Sequence, residues 1–536
     1  MTRREAWLTA AVVFAVALVI RTWVAAQIVF PKPEDTAYYV GAARNLLEGR
    51  GLVSDALWSF NTPPLIFPRP AFEVWLPLPT FLAVIPMALF GVTFSAAQVS
   101  SVLIGSLVPV LAWRLAADVA AERGMPVTRA RTLAVGTGLV AAVYLPLLLH
   151  SALPDSTMPF AVLALSACLL MSRIARDPGP VRLADPRVVG LGLLIGLAAL
   201  TRNEAVWLGL TWAIVAWRAG RLRLVVAAGV VAFVVFLPWM LRDWAVFGSP
   251  LPGQAVANAF SITGFDIFAW NDPPTLSRYL AAGPGRLLDM RVEGIGHNLF
   301  SVLLLPGLPI SIIGLVALPW QGRGAAVRPV LLLSVITFLI TGLLFPVATT
   351  WGTFLHAAGP VHVLIILSAL LALDAAIFAL GTRLGWTRPV AWLGPLLGLF
   401  GSLLFSITLL PTFGTGSRDT AAQFDELARR MAAVGHPLDA TAGPVITDFP
   451  IWLAETRRIS SLALPDEPPT DVLDLARHFK GTHLVVLLDK DHGRWPAVLD
   501  TATAGAECFR ELDLGPGPPG VPDPLETTRV FEIVCP

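Results

Sequence analysis

Two adjacent carboxylates, Glu34 and Asp35, stand just beyond the first long apolar run, in Pro33-Glu34-Asp35-Thr36-Ala37-Tyr38-Tyr39, and the chain continues through Val40 to Gly51. An amphipathic helix follows the pair and stops at glycine. At a helix start such acids act as caps, because Asp accepts backbone N–H bonds and both favour the positive end of the helix dipole. At a membrane rim they can instead take a proton from an acceptor hydroxyl or bind a divalent cation. The spacing leaves both readings open. Asp155, in His150-Ser151-Ala152-Leu153-Pro154-Asp155-Ser156, poses the same choice: it completes a carboxylate metal site with Asp35, or it caps the next helix.

Arginines supply the complementary charge. Arg202 and Arg242 fall at the predicted outer ends of helices, the wrong side for a positive-inside residue. A guanidinium at the membrane edge is costly to desolvate and matches a phosphate bidentately, so both are candidate ligands of a lipid phosphate. The competing reading is an ion pair with Glu204 or Asp243. Arg69 is a third candidate. His356, between two apolar runs at the outer face, is a second phosphate or pyrophosphate ligand or an ordinary interfacial histidine. Arg21, inside the first run, is expected to snorkel or pair internally. His362 and Asp374 read as buried pairing groups, and the tryptophans as an aromatic belt near helix ends.

These residues have to be positioned by membrane helices. The chain has 536 residues, 55% of them hydrophobic and 14% charged, against roughly 25% charged in soluble domains. Its mean hydropathy is +0.70. Such a composition excludes a soluble enzyme, a disordered chain and a nucleic-acid binder. A bilayer core takes about 20 apolar residues per helix, and the candidate spans are 7–30, 96–118, 132–150, 158–174, 188–202, 205–217, 224–242, 297–318, 329–350, 357–380 and 389–411. The first is too long for a signal peptide and lacks a small-residue cleavage site. The fifth and sixth are short enough to form a hairpin that does not fully cross. Segment 72–91, broken by Pro77, Pro79 and Pro86, is read as a juxtamembrane or re-entrant helix.

Arginine accumulates in alternate short loops, at 114–131, 173–187, 218–223, 323–328 and 383–388. This pattern places those loops and the N-terminus in the cytoplasm and the tail outside. The fold expected is a polytopic α-helical membrane protein of about 11 spans, residues 1–411, with 31–95 as its first external loop carrying juxtamembrane helices. Residues 412–536 form a small external α/β domain. Before Pro411 the chain holds 27 basic and 18 acidic residues; after it, 11 and 19. In the tail, 419–434 and 470–479 read as helices, and 444–447, 482–489 and 529–534 as strands. Asp489-Lys490-Asp491-His492 reads as a charged loop that binds acceptor or covers the membrane site. Cys168 is a buried residue, and whether Cys508 and Cys535 form a disulfide is left open by their spacing.

The order of short motifs resembles the large membrane glycosyltransferases of the GT-C fold, which take sugars from polyprenyl-phosphate donors and include protein O-mannosyltransferases and aminoarabinose transferases of lipid A. The acidic pair with Tyr38-Tyr39 and Ala42-Ala43-Arg44-Asn45-Leu46-Leu47-Glu48-Gly49-Arg50-Gly51 is similar to the family's first external loop. Pro68-Arg69-Pro70, Thr201-Arg202-Asn203-Glu204 and Pro238-Trp239-Met240-Leu241-Arg242-Asp243 resemble later motifs. Here the pair reads Glu-Asp rather than Asp-Glu, Arg69 stands for the commoner Lys or His, and Asn203 for proline. The resemblance implies an inverting hexosyl- or pentosyltransferase in a bacterial cytoplasmic membrane. Asp35 is its base, with Glu34 second, while Arg69, Arg202, Arg242 and His356 hold the donor phosphate. Asp35 and Asp155 are the candidate ligands if a divalent metal, Mg or Mn, takes part. Its partners are the bilayer, a polyprenyl-phosphate-linked sugar, and a glycan, lipid or protein acceptor, with no nucleic acid. A transporter or flippase of a lipid-linked sugar, and a structural membrane protein, are the competing classes; a transporter more often places its charges at the bilayer midplane.

Overall fold

The structure, a computed structural model, describes residues 2–252, 254–386, 390–440, 442–489, 491–517, 520 and 522–535. Arg388 and Lys490, which figure in the sequence reading, lie outside the described residues. An apolar chain in lipid has to satisfy its backbone internally, and the body is accordingly helical. Its N-terminal half runs α1 (Arg3–Ala25), α2 (Glu34–Leu47), α3 (Leu78–Phe90), α4 (Phe94–Gly105), α5 (Leu107–Glu122), α6 (Val127–Val143), α7 (Leu145–Ser151) and α8 (Thr157–Arg176). There follow α9 (Pro186–Ala199), α10 (Ala205–Arg218), α11 (Arg223–Phe247), α12 (Gln254–Ala259), α13 (Leu276–Ala281) and α14 (Gly283–Gly296). The last group is α15 (Ile310–Gln321), α16 (Arg328–Leu344), α17 (Thr353–Ala357), α18 (Gly359–Arg383) and α19 (Leu393–Ala433).

The expected spans are helical for most of their length. Among the described residues six helices are long and apolar enough to cross a membrane, and two further bent pairs qualify if each counts as one span. The expectation of a single straight span over 297–318 is not met. A π-helical stretch, His297–Leu304, runs into Leu305-Pro306-Gly307-Leu308-Pro309, and the chain turns through 119° before α15. Two prolines in five residues remove the donors a continuous helix needs. α9 and α10, at 14 residues each, reach about 21 Å at 1.5 Å per residue, short of a bilayer core, as the hairpin reading requires. α3 packs between α2 and α4 and leaves Ile85, Leu89 and Phe90 exposed.

The arginine-rich loops gather at one end of the body. There Arg131 meets Glu5 at 3.0 Å, Arg123 donates to the Gln321 side chain at 2.7 Å, and Arg129 pairs with Asp374 at 2.6 Å. At the opposite end sits the tail. α19, 41 residues long, continues without interruption past Pro411, so the expected division between residues 411 and 412 falls inside one helix. Beyond it come β1 (Val445–Thr447), α20 (Pro450–Arg457), β2 (Ser461–Ala463), α21 (Pro469–His478) and β3 (Leu484–Leu487). Two last strands, Phe509–Glu511 and Arg529–Ile533, close the chain.

The central strands are wholly buried and linked by crossover helices, which makes them parallel. The last two add antiparallel, and the Cys508–Cys535 disulfide joins residues flanking them. The other edge strand comes from the first loop. Ala56–Leu57 pairs parallel with β2, Ala56 opposite Ser461. Tyr38, Tyr39, Leu57 and Trp58 accordingly share one hydrophobic cluster with Ile446, Leu462 and Val485.

α2 itself docks on α20. Arg44 forms an ion pair with Glu455 and donates to its backbone carbonyl at 3.1 Å, and a Cβ on Gly41 would lie 2.9 Å from the Glu455 carboxylate. Burial pushes the Glu455 carboxyl from its ordinary 4.5 up to about 7, with the Arg44 guanidinium opposing the rise. The folded chain therefore keeps a proton that the unfolded chain has already lost, and this group's contribution to stability falls as pH rises from about 5 to about 7. Glu455→Gln is expected to flatten that limb of a plot of Tm against pH. An unaltered limb would show that burial does not hold the Glu455 carboxyl above its ordinary range.

Candidate active site at the junction of body and tail

The start of α2 does not use its acids as caps. Pro33 is the N-cap, and Glu34 and Asp35 occupy the first turn, where the helix dipole favours them. Both side chains turn to other elements. Glu34 Oε1 accepts the Ile451 N–H of α20 at 3.0 Å, while Asp35 Oδ2 lies 3.2 Å from His356 Nε2 of α17. Burial raises the Asp35 carboxyl to about 6; Arg202 and the Trp75 indole oppose the rise and Asp155 adds to it. Burial lifts Glu34 further, to about 8, with Asp35 and Asp448 pushing the same way and the Ile451 N–H against.

His356 is 3% exposed. Its Nδ1 lies 2.7 Å from Thr157 Oγ1 and 3.7 Å from Asp155 Oδ2, so Asp35 and Asp155 address opposite nitrogens of one ring. Burial lowers the imidazole to about 3, Asp155 resisting and Arg202 assisting; the ring is neutral at physiological pH. Asp155, between α7 and α8, does act as a cap with one oxygen: Oδ1 accepts the Thr157 N–H at 2.8 Å. Its other oxygen faces His150 Nδ1 at 3.5 Å, beyond a good hydrogen bond. That oxygen and that nitrogen are both buried without a hydrogen-bond partner among the described residues. Against the effect of burial, the two imidazoles hold the Asp155 carboxyl below its ordinary range.

Arg202 stands in the turn between α9 and α10. Its Nε and Nη2 grip Glu204 at 3.0 and 2.9 Å, and Nη1 donates to Ser156 Oγ at 2.7 Å. The ion pair expected as the alternative is thus formed, beside Asp35. Arg242 likewise pairs with Asp243 at 2.9 Å, its guanidinium lying over Trp239 and Phe247. Trp239 packs on Phe72 and Phe72 on Tyr38, which leaves Arg242 flanking the site behind an aromatic wall. Phe72 holds a left-handed backbone with φ of 76°, fixed where its N–H donates to Tyr38 Oη at 2.6 Å. Arg69 is fully buried within the first loop. It donates to the Ser59 and Thr62 carbonyls at 2.5 and 2.9 Å and lies 3.3 Å from Glu73.

The structure therefore brings Asp35, Asp155, Arg202 and His356 together, turns Glu34 to α20, sets Arg242 at the flank, and keeps Arg69 in the loop's interior. His362 packs on the Tyr144 ring, and Asp374 pairs with Arg129 at the far end. In the tail, His492 is buried against Phe265 and Phe268 and makes a 2.9 Å bond with the Leu464 carbonyl. His150, Ser156 and Thr157 are passed over by sequence reasoning. The only signal for His150 is its place five residues before Asp155, at the outer end of an apolar run.

No protein-family model matches the chain, and no curated protein is detectably similar to it. Solved structures do match. ArnT from Cupriavidus metallidurans bound to undecaprenyl phosphate superposes with a TM-score of 0.59 at 15% identity, over 98% of each chain. The oligosaccharyltransferase AglB from Archaeoglobus fulgidus, in complex with an inhibitory peptide and a dolichol-phosphate, gives 0.54 at 12% identity, over 93% of this chain and 71% of the other. The Archaeoglobus fulgidus oligosaccharyltransferase in complex with Zn and sulfate gives 0.54 at 16%, over 91% and 69%. The architecture found is the one expected from the motif order: a GT-C-like helical membrane body that carries a small α/β tail.

Proposed function

We propose that the chain transfers a sugar from a polyprenyl-phosphate donor to an acceptor hydroxyl, with inversion, on the external face of a bacterial cytoplasmic membrane. The observation that carries this reading is the convergence of Asp35, His356, Asp155 and Arg202 where the helical body meets the tail. The fold neighbours support it, since one binds undecaprenyl phosphate and another dolichol-phosphate. Asp35 removes the acceptor proton as the acceptor oxygen bonds to the anomeric carbon. The bond from that carbon to the phosphate oxygen breaks, and the polyprenyl phosphate leaves with the electron pair. A carboxyl held near 6 is largely ionised at neutral pH yet still basic. Glu34, held near 8, keeps its proton there and serves as the anchor of α2 to α20.

Arg202, oriented by Glu204 and Ser156, supplies charge to the leaving phosphate, with Arg242 as the outer guanidinium. Arg69 acts through the shape of the first loop. The residues also fit a divalent cation: ligand atoms of His150, Asp155 and His356 lie within 4.8 Å of one another, and two of them are buried without a hydrogen bond. Two imidazoles with one carboxylate suit zinc or manganese better than magnesium. When bound, the cation would add positive charge beside the phosphate. Asp35 reaches this group only through His356, which it orients.

With undecaprenyl-phosphate-linked sugar as donor and membrane extract as acceptor, Asp35→Asn is expected to lose about 10²- to 10⁴-fold in transfer rate while remaining folded. Undiminished transfer would remove Asp35 as the base, and no transfer by the unaltered protein would favour the transporter reading. Calorimetric titration of the metal-stripped protein with Zn²⁺ should show one site, weakened at least about tenfold by His150→Ala. Equal binding by the variant would dismiss the three-residue cation site.

A further inference from the structure

α6 ends at Val143 and α7 begins at Leu145 after a 57° bend. In an unbroken helix the Ala141 carbonyl would receive the N–H of Leu145, and that of Ala142 the N–H of residue 146. Residue 146 is proline and has none. The bend therefore frees the carbonyls of residues 141, 142 and 143 inside the helical body, where leaving them unpaired is expensive. Each is nonetheless satisfied. Arg21 of α1 donates from Nη2 to Ala141 and from Nη1 to Ala142, both at 3.2 Å, and Ser406 of α19 donates to Val143 at 2.6 Å.

Arg21 also crosses the bend. Its Nε donates to Ser151 Oγ of α7 at 2.8 Å, next to His150. The guanidinium is 0% exposed, so it does not snorkel, and among the described residues no carboxylate lies within ion-pair distance of it. A charge kept at that cost in a membrane helix calls for a role. A planar fork is the side chain able to serve three fixed oxygens at once.

We propose that Arg21 is a positioning residue: it holds the α6–α7 bend by occupying the carbonyls the bend exposes, and so aims His150 and Asp155 at His356. The assignment concerns geometry and can be tested without substrate. In the full-length protein carrying Cys168→Ala, His150→Cys and His356→Cys, a short bifunctional thiol reagent should cross-link the two positions, whose rings lie 5.6 Å apart. Pro146→Ala added to that background should keep the cross-link, because Arg21 still occupies the carbonyls. Adding Arg21→Leu as well lets residue 146 donate to Ala142 and the helix straighten. The protein should then melt near the Pro146→Ala variant but lose most of the cross-link. Arg21→Leu alone, with the carbonyls unpaired, should lower Tm. Retention of the cross-link in the combined variant, its loss in Pro146→Ala alone, or an unchanged Tm in Arg21→Leu would each overturn the proposal. None of these outcomes depends on sugar transfer, so the assignment and the catalytic reading fail separately.

Discussion

The Arg202 guanidinium is the interaction on which the site depends. It draws together the turn after α9 through Glu204, the turn before α8 through Ser156, and α17 through a 3.4 Å approach to the Thr353 carbonyl. The turn before α8 carries Asp155 and α17 carries His356, and the guanidinium's field lowers the cost of ionising Asp35 on α2. One cation thus sets the relation among elements far apart in the chain. Because it is bidentate on Glu204, it is held in a single orientation rather than left to rotate.

A second constraint acts from above. α2 is short and begins on a proline, and nothing in its own sequence dictates where its carboxylates point. Its direction comes from α20, through Arg44 with Glu455 and Ile451 with Glu34, and from the aromatic packing of Phe30 on Phe424 and Trp452. The tail is therefore a wall of the site. Val29 and Phe30, at the exit of α1, are fixed by the Ser417 hydroxyl of α19 at 3.0 and 2.9 Å, so the membrane end of the loop and the tail are gauged against one helix.

Legibility in the sequence followed the physics of each element. Apolar runs become helices because lipid allows little else, and for that reason most of the expected spans are helical. The turn at 305–309 shows the limit, since hydropathy sees its leucines and not the donors its prolines lack. The acids are legible as a pair of carboxylates where the chain leaves an apolar run, and Arg202 as a positive charge on the outer side of one. His150 is not, because a single histidine at a helix end carries no periodicity. Arg69 stands in the motif, and its partners, two carbonyls and Glu73 of its own loop, are visible only in the folded chain. Strands as short as Ala56–Leu57 lie below what alternation can reveal.

That short strand also bears on how the molecule is made. Its partner, Ser461–Leu462, lies near the other end of the chain, and a parallel pairing over such a separation pays its loop-closure entropy before any contact rewards it. During synthesis the segment that carries Asp35 stays without its sheet until Ser461 and Leu462 have emerged. The sheet edge beside α2 therefore waits on residues made long after it, and a nascent chain with its helices already in the bilayer still lacks that edge.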